Sequence, residues 1–347
     1  MSKRRLTRQQ KWRIERIQKE RAERAKRKDV LAETLDEAGE LGPEQEGLLI
    51  AHFGRQVEVE PLPMQPDHPV YRCFVRANVD TLVTGDRVVW REDLSTPHTG
   101  VVVAREPRRS ELCRPDAYGH LKPVAANIDQ IVVVVAAEPE PFPLLIDRYL
   151  VAAEAAGIPA TLVLNKADLL SADSHLPNLL AFYGGLGYPA ILASTRTRDG
   201  LDALQAHLAN KTSVLVGQSG VGKSSLIQAL LPGETLRIGD LSGTTRKGRH
   251  TTTSARLFHI PTGGALVDSP GIRDFGLWHM DERTLEQGFV EFRPYLGQCR
   301  FRDCRHEQEP GCALREAVRE GKISERRFQN FLHIRETLDD VTMRPSR

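Results

Sequence analysis

Leu215-Val216-Gly217-Gln218-Ser219-Gly220-Val221-Gly222-Lys223-Ser224-Ser225 is the stretch on which the reading of this chain turns. Gly217, Gly222, Lys223 and Ser224 fit the spacing G-x-x-x-x-G-K-[ST]. The apolar run Val214-Leu215-Val216 is short and β-branched enough for a buried strand, and Ser225–Leu231 is apolar at helical spacing. Strand, glycine loop and helix form the setting in which this spacing cradles phosphate. Glycines let successive backbone N–H groups turn inward onto phosphate oxygens, and the helix N-terminus adds a favourable partial charge. Gly217 through Ser225 are therefore the expected phosphate-binding residues, with Lys223 reaching the β- and γ-phosphates and the Ser224 hydroxyl holding Mg²⁺. The plain alternative, a glycine turn between strand and helix, carries less weight in this setting.

Upstream, from residue 128, strands and helices alternate. Asp129–Ala137 is an apolar strand, Leu144–Ala156 a helix ending at Gly157, and Ala160–Leu164 a strand. A helix over Asn178–Gly184, a strand over Ala190–Ala193 and a helix over Leu201–Ala209 lead into Val214. This is a doubly wound α/β pattern. Immediately after Ala160–Leu164 stands Asn165-Lys166-Ala167-Asp168, and N-K-x-D reads guanine. The Asp168 carboxylate can accept from N1–H and the N2 amino group, which adenine cannot supply. The Asn165 amide helps fix the base, and the Lys166 stem packs along the ring face. Ser194, just after the next strand, lies where a loop N–H could back the guanine O6.

Downstream, Leu241–Thr253 is polar, rich in glycine and hydroxyl groups, and without periodicity. Such a loop between helix and strand is a candidate switch, in which Thr251 or Thr252 would complete the Mg²⁺ shell. The strand Ala265-Leu266-Val267 then leads to Asp268-Ser269-Pro270-Gly271. Asp268 can hold Mg²⁺ through water and the Gly271 N–H can reach a γ-phosphate. Further on, Cys299, Cys304, His306 and Cys312 form C-x4-C-x-H-x5-C, a closed set of three thiolates and an imidazole suited to one structural Zn²⁺. Reduced, unliganded thiols are the bland reading, and three cysteines within fourteen residues argue against it. Ala313–Leu338 reads as one helix with Arg315, Arg319, Lys322, Arg326 and Arg327 exposed, either an RNA face or a solvated one.

The N-terminal third reads differently. Residues 1–28 are dense in Lys and Arg with few apolar residues, which suits a nucleic-acid-binding arm or a solvated tail. Residues 33–46 turn acidic and contain Gly and Pro, as a linker does. Between 47 and 114, five short β-prone runs predict a small OB-type barrel, with an SH3-like barrel as the alternative: Leu48–Ile50, Gln56–Val59, Val70–Arg76, Asp86–Trp90 and Gly100–Val103. Cys73 and Cys113 fall on or beside these runs and read as small buried apolar residues. The whole chain has 347 residues, a formal net charge of +2 and five cysteines. No apolar run approaches membrane length, and the basic N-terminus lacks an apolar core for a secretory signal. A cytoplasmic protein with reduced thiols is expected.

The order of the motifs is unusual, because Asn165 precedes Gly217 whereas ordinary GTPases carry the phosphate loop first. In this the chain resembles the circularly permuted GTPases, and in detail the RsgA (YjeQ-type) family of ribosome small-subunit biogenesis GTPases. The likeness rests on the barrel, G-R-H-T-T-T at Gly248–Thr253, D-S-P-G and the cysteine segment, over roughly residues 47–335. Together with the arm and linker read over 1–46, it gives the expected organisation: an OB-like barrel over 47–115, a permuted GTPase domain over 120–280 and a zinc-binding C-terminal domain over 281–347. It also implies a Mg²⁺-dependent monomer that binds the small ribosomal subunit and its rRNA, takes GTP and GDP, and does not contact membrane. Ile272 stands where many GTPases carry a water-orienting glutamine, and His250 of the family's switch is the expected catalytic substitute. The alternatives are an RNA-binding adaptor that holds GTP without turning it over, and a P-loop kinase, which would need no N-K-x-D.

Overall fold

The computed structural model describes residues 40–54, 56–64, 69–115, 120–232, 255–268 and 280–343. The chain divides into two compact units, one ending at Arg108 and the other beginning at Arg109.

The first unit is a barrel of β1 (Leu41–Phe53), β2 (Gln56–Pro61), β3 (Tyr71–Val75), β4 (Arg87–Asp93) and β5 (Thr99–Arg105). The strand order is β1-β2-β3-β5-β4, and β4 pairs back onto β1 to close it. With β3 and β5 parallel and the other pairs antiparallel, this is the OB-type arrangement, which removes exposed sheet edges. Leu49, Val57, Val59, Cys73, Val88, Trp90 and Val102 fill its interior. Cys73 is fully buried, and burial pushes its thiol up to about 12. Cys113, read in the same way, lies in the second unit and is only half-buried. β1 begins at Leu41, inside the stretch read as a linker. A register shift between Leu41 and Glu44 absorbs Gly42-Pro43, and the Arg91 guanidinium donates to the carbonyls of Gly42 (2.7 Å) and Leu41 (3.1 Å).

The second unit opens with an antiparallel ribbon, β6 (Glu111–Pro115) and β7 (Leu121–Ala126), that the sequence reading left unassigned. Then come β8 (Gln130–Ala136), α1 (Pro143–Ala155), β9 (Ala160–Asn165), α2 (Leu176–Gly185), β10 (Ala190–Leu192), α3 (Leu201–Leu208), β11 (Thr212–Val216) and α4 (Lys223–Leu230). β12 (Arg256–His259), also unforeseen, and β13 (Ala265–Asp268) complete the sheet. Its order is β10-β9-β8-β11-β13-β12, parallel except for the β12–β13 pair. Every residue of β8 and β9 is buried, as expected for strands covered on both faces. The chain leaves β8 on one side for β9 and β10, then returns on the other side as β11. That reversal is a topological switch point, and doubly wound sheets take their ligands at the strands' C-terminal ends there.

The C-terminal part holds α5 (Glu282–Gly288), a 3-10 turn (Val290–Tyr295), α6 (Ala313–Arg319) and α7 (Glu325–Met343). The single helix expected over Ala313–Leu338 is thus two. Gly321, with φ 70°, turns the chain between them, and N–H groups of Glu320, Gly321 and Lys322 close α6. Phe289, Phe292, Phe328 and Phe331 form the core here with Val151, which α1 contributes.

Arg327, expected on an exposed face, is fully buried. Its guanidinium donates to Asp147 Oδ1 of α1 (2.6 Å) and to both oxygens of Glu291 (2.7 and 2.8 Å). Tyr183 and Asn330 donate to the same Asp147 carboxylate, each at 2.6 Å. Arg315, Arg319, Lys322 and Arg326 are exposed, as expected.

Candidate functional site

The glycine loop leaves β11 at Gly217 and enters α4 at Lys223, as its spacing requires. Gly217 has φ 142°, and a Cβ there would lie 2.2 Å from the carbonyl oxygen of Val134 on β8. Only glycine lets the loop start so close to the neighbouring strand. Lys223 Nζ donates to the carbonyls of Gly217 (2.6 Å) and Gln218 (2.8 Å), so the ammonium lies over the loop it begins from. Gln218, Ser219 and Gly220 are accessible, Val221 is buried, and Ser224 and Ser225 lie in the first turn of α4.

The two sequence motifs meet at one hydrogen bond. Asn165, at the end of β9 and 1% exposed, donates from Nδ2 to the Val221 carbonyl at 2.9 Å. Gly222, with φ 90°, makes room for it: a Cβ there would lie 2.3 Å from that Nδ2. The Asn165 amide therefore ties the two loops together, and its buried Oδ1 has no hydrogen-bond partner among the described residues. Lys166, with φ 55°, turns its ammonium onto the Glu138 carbonyl at 2.7 Å, and the Ala167 N–H donates to the Ala193 carbonyl at 3.0 Å.

Asp168 follows in a 3-10 turn, Ala167–Leu169. The Ser194 hydroxyl donates to Asp168 Oδ1 and Arg196 Nε donates to Oδ2 at 2.6 Å. These bonds hold its carboxyl below the usual range, so it is ionised at neutral pH. Ser194 sits in a tightly bonded turn. Its own N–H is spent on the Asp199 carbonyl at 2.9 Å, and its Oγ accepts from the N–H groups of Arg196 (3.2 Å) and Thr197 (3.1 Å). Arg196 was missed by the sequence reading, since it lies 28 residues from Asp168 in an otherwise plain loop.

Asp268 ends β13, which pairs in parallel with β11, so it emerges at the same edge as the glycine loop. Ser224, in the first turn of α4, and Asp268, at the end of β13, carry a hydroxyl and a carboxylate, the kinds of hard oxygen donor that Mg²⁺ takes. His250, Thr251, Thr252 and Gly271 lie outside the described residues, as does the arm over 1–28.

The four residues of the cysteine segment converge, their ligand atoms all within 4.8 Å of one another. His306 Nδ1 lies 3.5 Å from Cys299 Sγ, 3.6 Å from Cys304 Sγ and 3.3 Å from Cys312 Sγ. Burial, with the crowding of Cys299 and Cys312, pushes the Cys304 thiol up to about 12, and burial raises Cys312 also. A cation among them would favour the thiolates instead. The set could hold a metal ion, with no accessible position needed beyond its own donors. Glu286 of α5 accepts at 3.1 Å from His306 Nε2, which directs Nδ1 at the three sulfurs. Nothing in the local sequence marks Glu286, which lies 20 residues upstream.

A family model described as RsgA GTPase matches residues 105–278. The chain is 59% identical over 345 residues to the small ribosomal subunit biogenesis GTPase RsgA of Hahella chejuensis, covering 98% of both chains. It is 57% identical over 342 residues to the protein of the same name from Azotobacter vinelandii, covering 98% of this chain and 99% of that one. The crystal structure of YjeQ from Thermotoga maritima superposes with a TM-score of 0.69 at 30% identity, over 87% of this chain and 100% of that one. YloQ, described as a circularly permuted GTPase, gives the same TM-score of 0.69 at 28% identity, over 88% and 98%. With its guanine-type loop placed ahead of its phosphate loop and its likeness to these relatives running nearly end to end, the chain belongs to the RsgA GTPase family.

Proposed function

We propose that this GTPase uses Mg²⁺ to hydrolyse GTP on the small ribosomal subunit during its biogenesis, as a cytoplasmic monomer. The observation that carries the reading is the Asn165–Val221 bond, which joins the N-K-x-D loop to the glycine loop and supports reading the two as parts of one nucleotide site. The N–H groups of Gly217–Ser225 and Lys223 hold the phosphates, and Asp168 accepts from the guanine N1–H and N2 amino group. Asn165 and Lys166 frame the base, and a loop N–H beside Ser194 backs the O6. Ser224, Asp268 and one of Thr251 or Thr252 hold Mg²⁺, which neutralises charge developing on the phosphates. The Gly271 N–H reaches the γ-phosphate. With Ile272 in place of a glutamine, His250 accepts a hydrogen bond from the attacking water. Zn²⁺ is the metal of Cys299, Cys304, His306 and Cys312, where it serves the fold.

The relatives' name supplies the small subunit, and the basic arm and OB-type barrel fit an RNA partner. The test is GTP turnover with and without purified small and large subunits, for wild type and His250→Ala. The reading requires turnover that rises with small subunits only. In the variant, that turnover falls by about tenfold or more while GTP and subunit affinities stay near wild type. Tight GTP binding without turnover under any condition would make the protein an adaptor.

A further inference from the structure

We propose that Arg196 is a positioning residue for guanine recognition, clamping Asp168 from the side away from the base. The proposal rests on the reading of Asp168 as the guanine acceptor. An ionised carboxylate offers about four lone-pair sites, two on each oxygen. Ser194 Oγ–H occupies one on Oδ1 and Arg196 Nε–H one on Oδ2. The Asp168 backbone N–H also acts on the carboxylate, and the lone-pair capacity left on the two oxygens is what the N1–H and N2 donors of guanine would take. Arg196 acts twice in this arrangement, because its backbone N–H also holds the Ser194 hydroxyl oxygen at 3.2 Å. The Thr197 N–H holds the same oxygen, so the hydroxyl proton is directed at Asp168.

The charges around the carboxylate are few. Arg196 touches it, Lys166 of the same loop is turned onto the Glu138 carbonyl, and Asp199 is occupied by the Thr197 hydroxyl at 2.7 Å. The Arg196 side chain is 71% exposed, so removing it disturbs no core. A lysine there keeps a positive charge but lacks the planar, directed donor.

The experiment measures GDP and IDP affinity from pH 4.5 to 8 for wild type, Arg196→Ala, Arg196→Lys and Asp168→Asn. IDP lacks the N2 amino group and so reports one of the two base contacts. Arg196→Ala is expected to weaken GDP binding roughly five- to tenfold at neutral pH and to shrink the preference for GDP over IDP. Its loss of binding on acidification should begin at higher pH, because without the guanidinium Asp168 takes a proton more readily. Arg196→Lys should restore the acid limb toward wild type while recovering the GDP preference only in part. Asp168→Asn serves as the separate check. If it keeps full GDP affinity, the guanine assignment itself fails. If it loses GDP while Arg196→Ala keeps wild-type affinity, preference and acid limb, only the role of Arg196 fails. Tighter GDP binding by Arg196→Ala would also overturn it, showing a side chain that competes with the base.

Discussion

At Gly222 the sequence motif and the tertiary structure make the same demand for different reasons. The motif needs a backbone that can turn its N–H groups inward, and the fold needs space for the Asn165 amide. An alanine at this φ of 90° would be strained, and its Cβ would meet Asn165 Nδ2 at 2.3 Å. Gly222→Ala should therefore lower GDP and GTP affinity by more than tenfold while moving the unfolding midpoint only slightly. Calorimetric titration beside a urea melt checks this, and unchanged affinity would mean the two loops do not depend on each other. The residues of the crevice that were legible in advance, such as Lys223 and Asp168, carry their meaning in spacings of a few positions. Arg196, Glu286 and Arg327 were not legible, because each depends on a partner brought near only by folding. Arg327 shows this best: helical periodicity placed it among exposed arginines, and two carboxylates from distant elements draw it inside.

Among the elements, the parallel strands were read nearly to their ends, since continuous apolar runs bounded by turns have few other uses. The misreadings have local causes. Gly42-Pro43 looked like linker, yet a shift in register lets β1 carry a proline. β12 is four residues long and half-buried at two of them, too short to show a period. Helix α5 is the element with the most to test. It follows the strand that ends in Asp268, and it carries Glu286 onto the ring of His306. Glu286→Ala should lower zinc affinity by about ten- to a hundredfold, read by competition with a chromogenic chelator. GDP affinity should stay unchanged, because Glu286 belongs to no part of the nucleotide crevice. Zinc retention equal to wild type would show that the three cysteines orient His306 unaided.

Across the whole molecule, the basic arm sets up one solution experiment. Deleting residues 1–28 should weaken subunit binding and flatten its salt dependence, as phosphate contacts are lost. An equal slope with and without the arm would identify a solvated tail.

The second unit as a whole is fastened at the Arg327 network. The C-terminal helices and α1 share a core, and at its centre one guanidinium satisfies Asp147 and Glu291. The Phe289 ring lies 4.6 Å from that guanidinium, so little water reaches it. Desolvation alone would make Arg327 easier to deprotonate, but the two carboxylates outweigh it and hold it charged. Removing the cation strands two buried anions, which costs more than the pair contributes when intact. Arg327→Met should accordingly destabilise the protein by about 3–5 kcal/mol in urea unfolding. The replacement set Arg327→Met, Asp147→Leu and Glu291→Met removes all the charges together and should recover much of that loss. The nucleotide crevice takes no atom from this network, so GDP affinity of the folded fraction should match wild type in both. If Arg327→Met proves as stable as wild type, the carboxylates must find other partners or protons, and the C-terminal helices are held by the phenylalanine core alone. If GDP affinity falls with stability intact, the network instead positions the nucleotide site through α1, and the fastening role assigned to it is wrong.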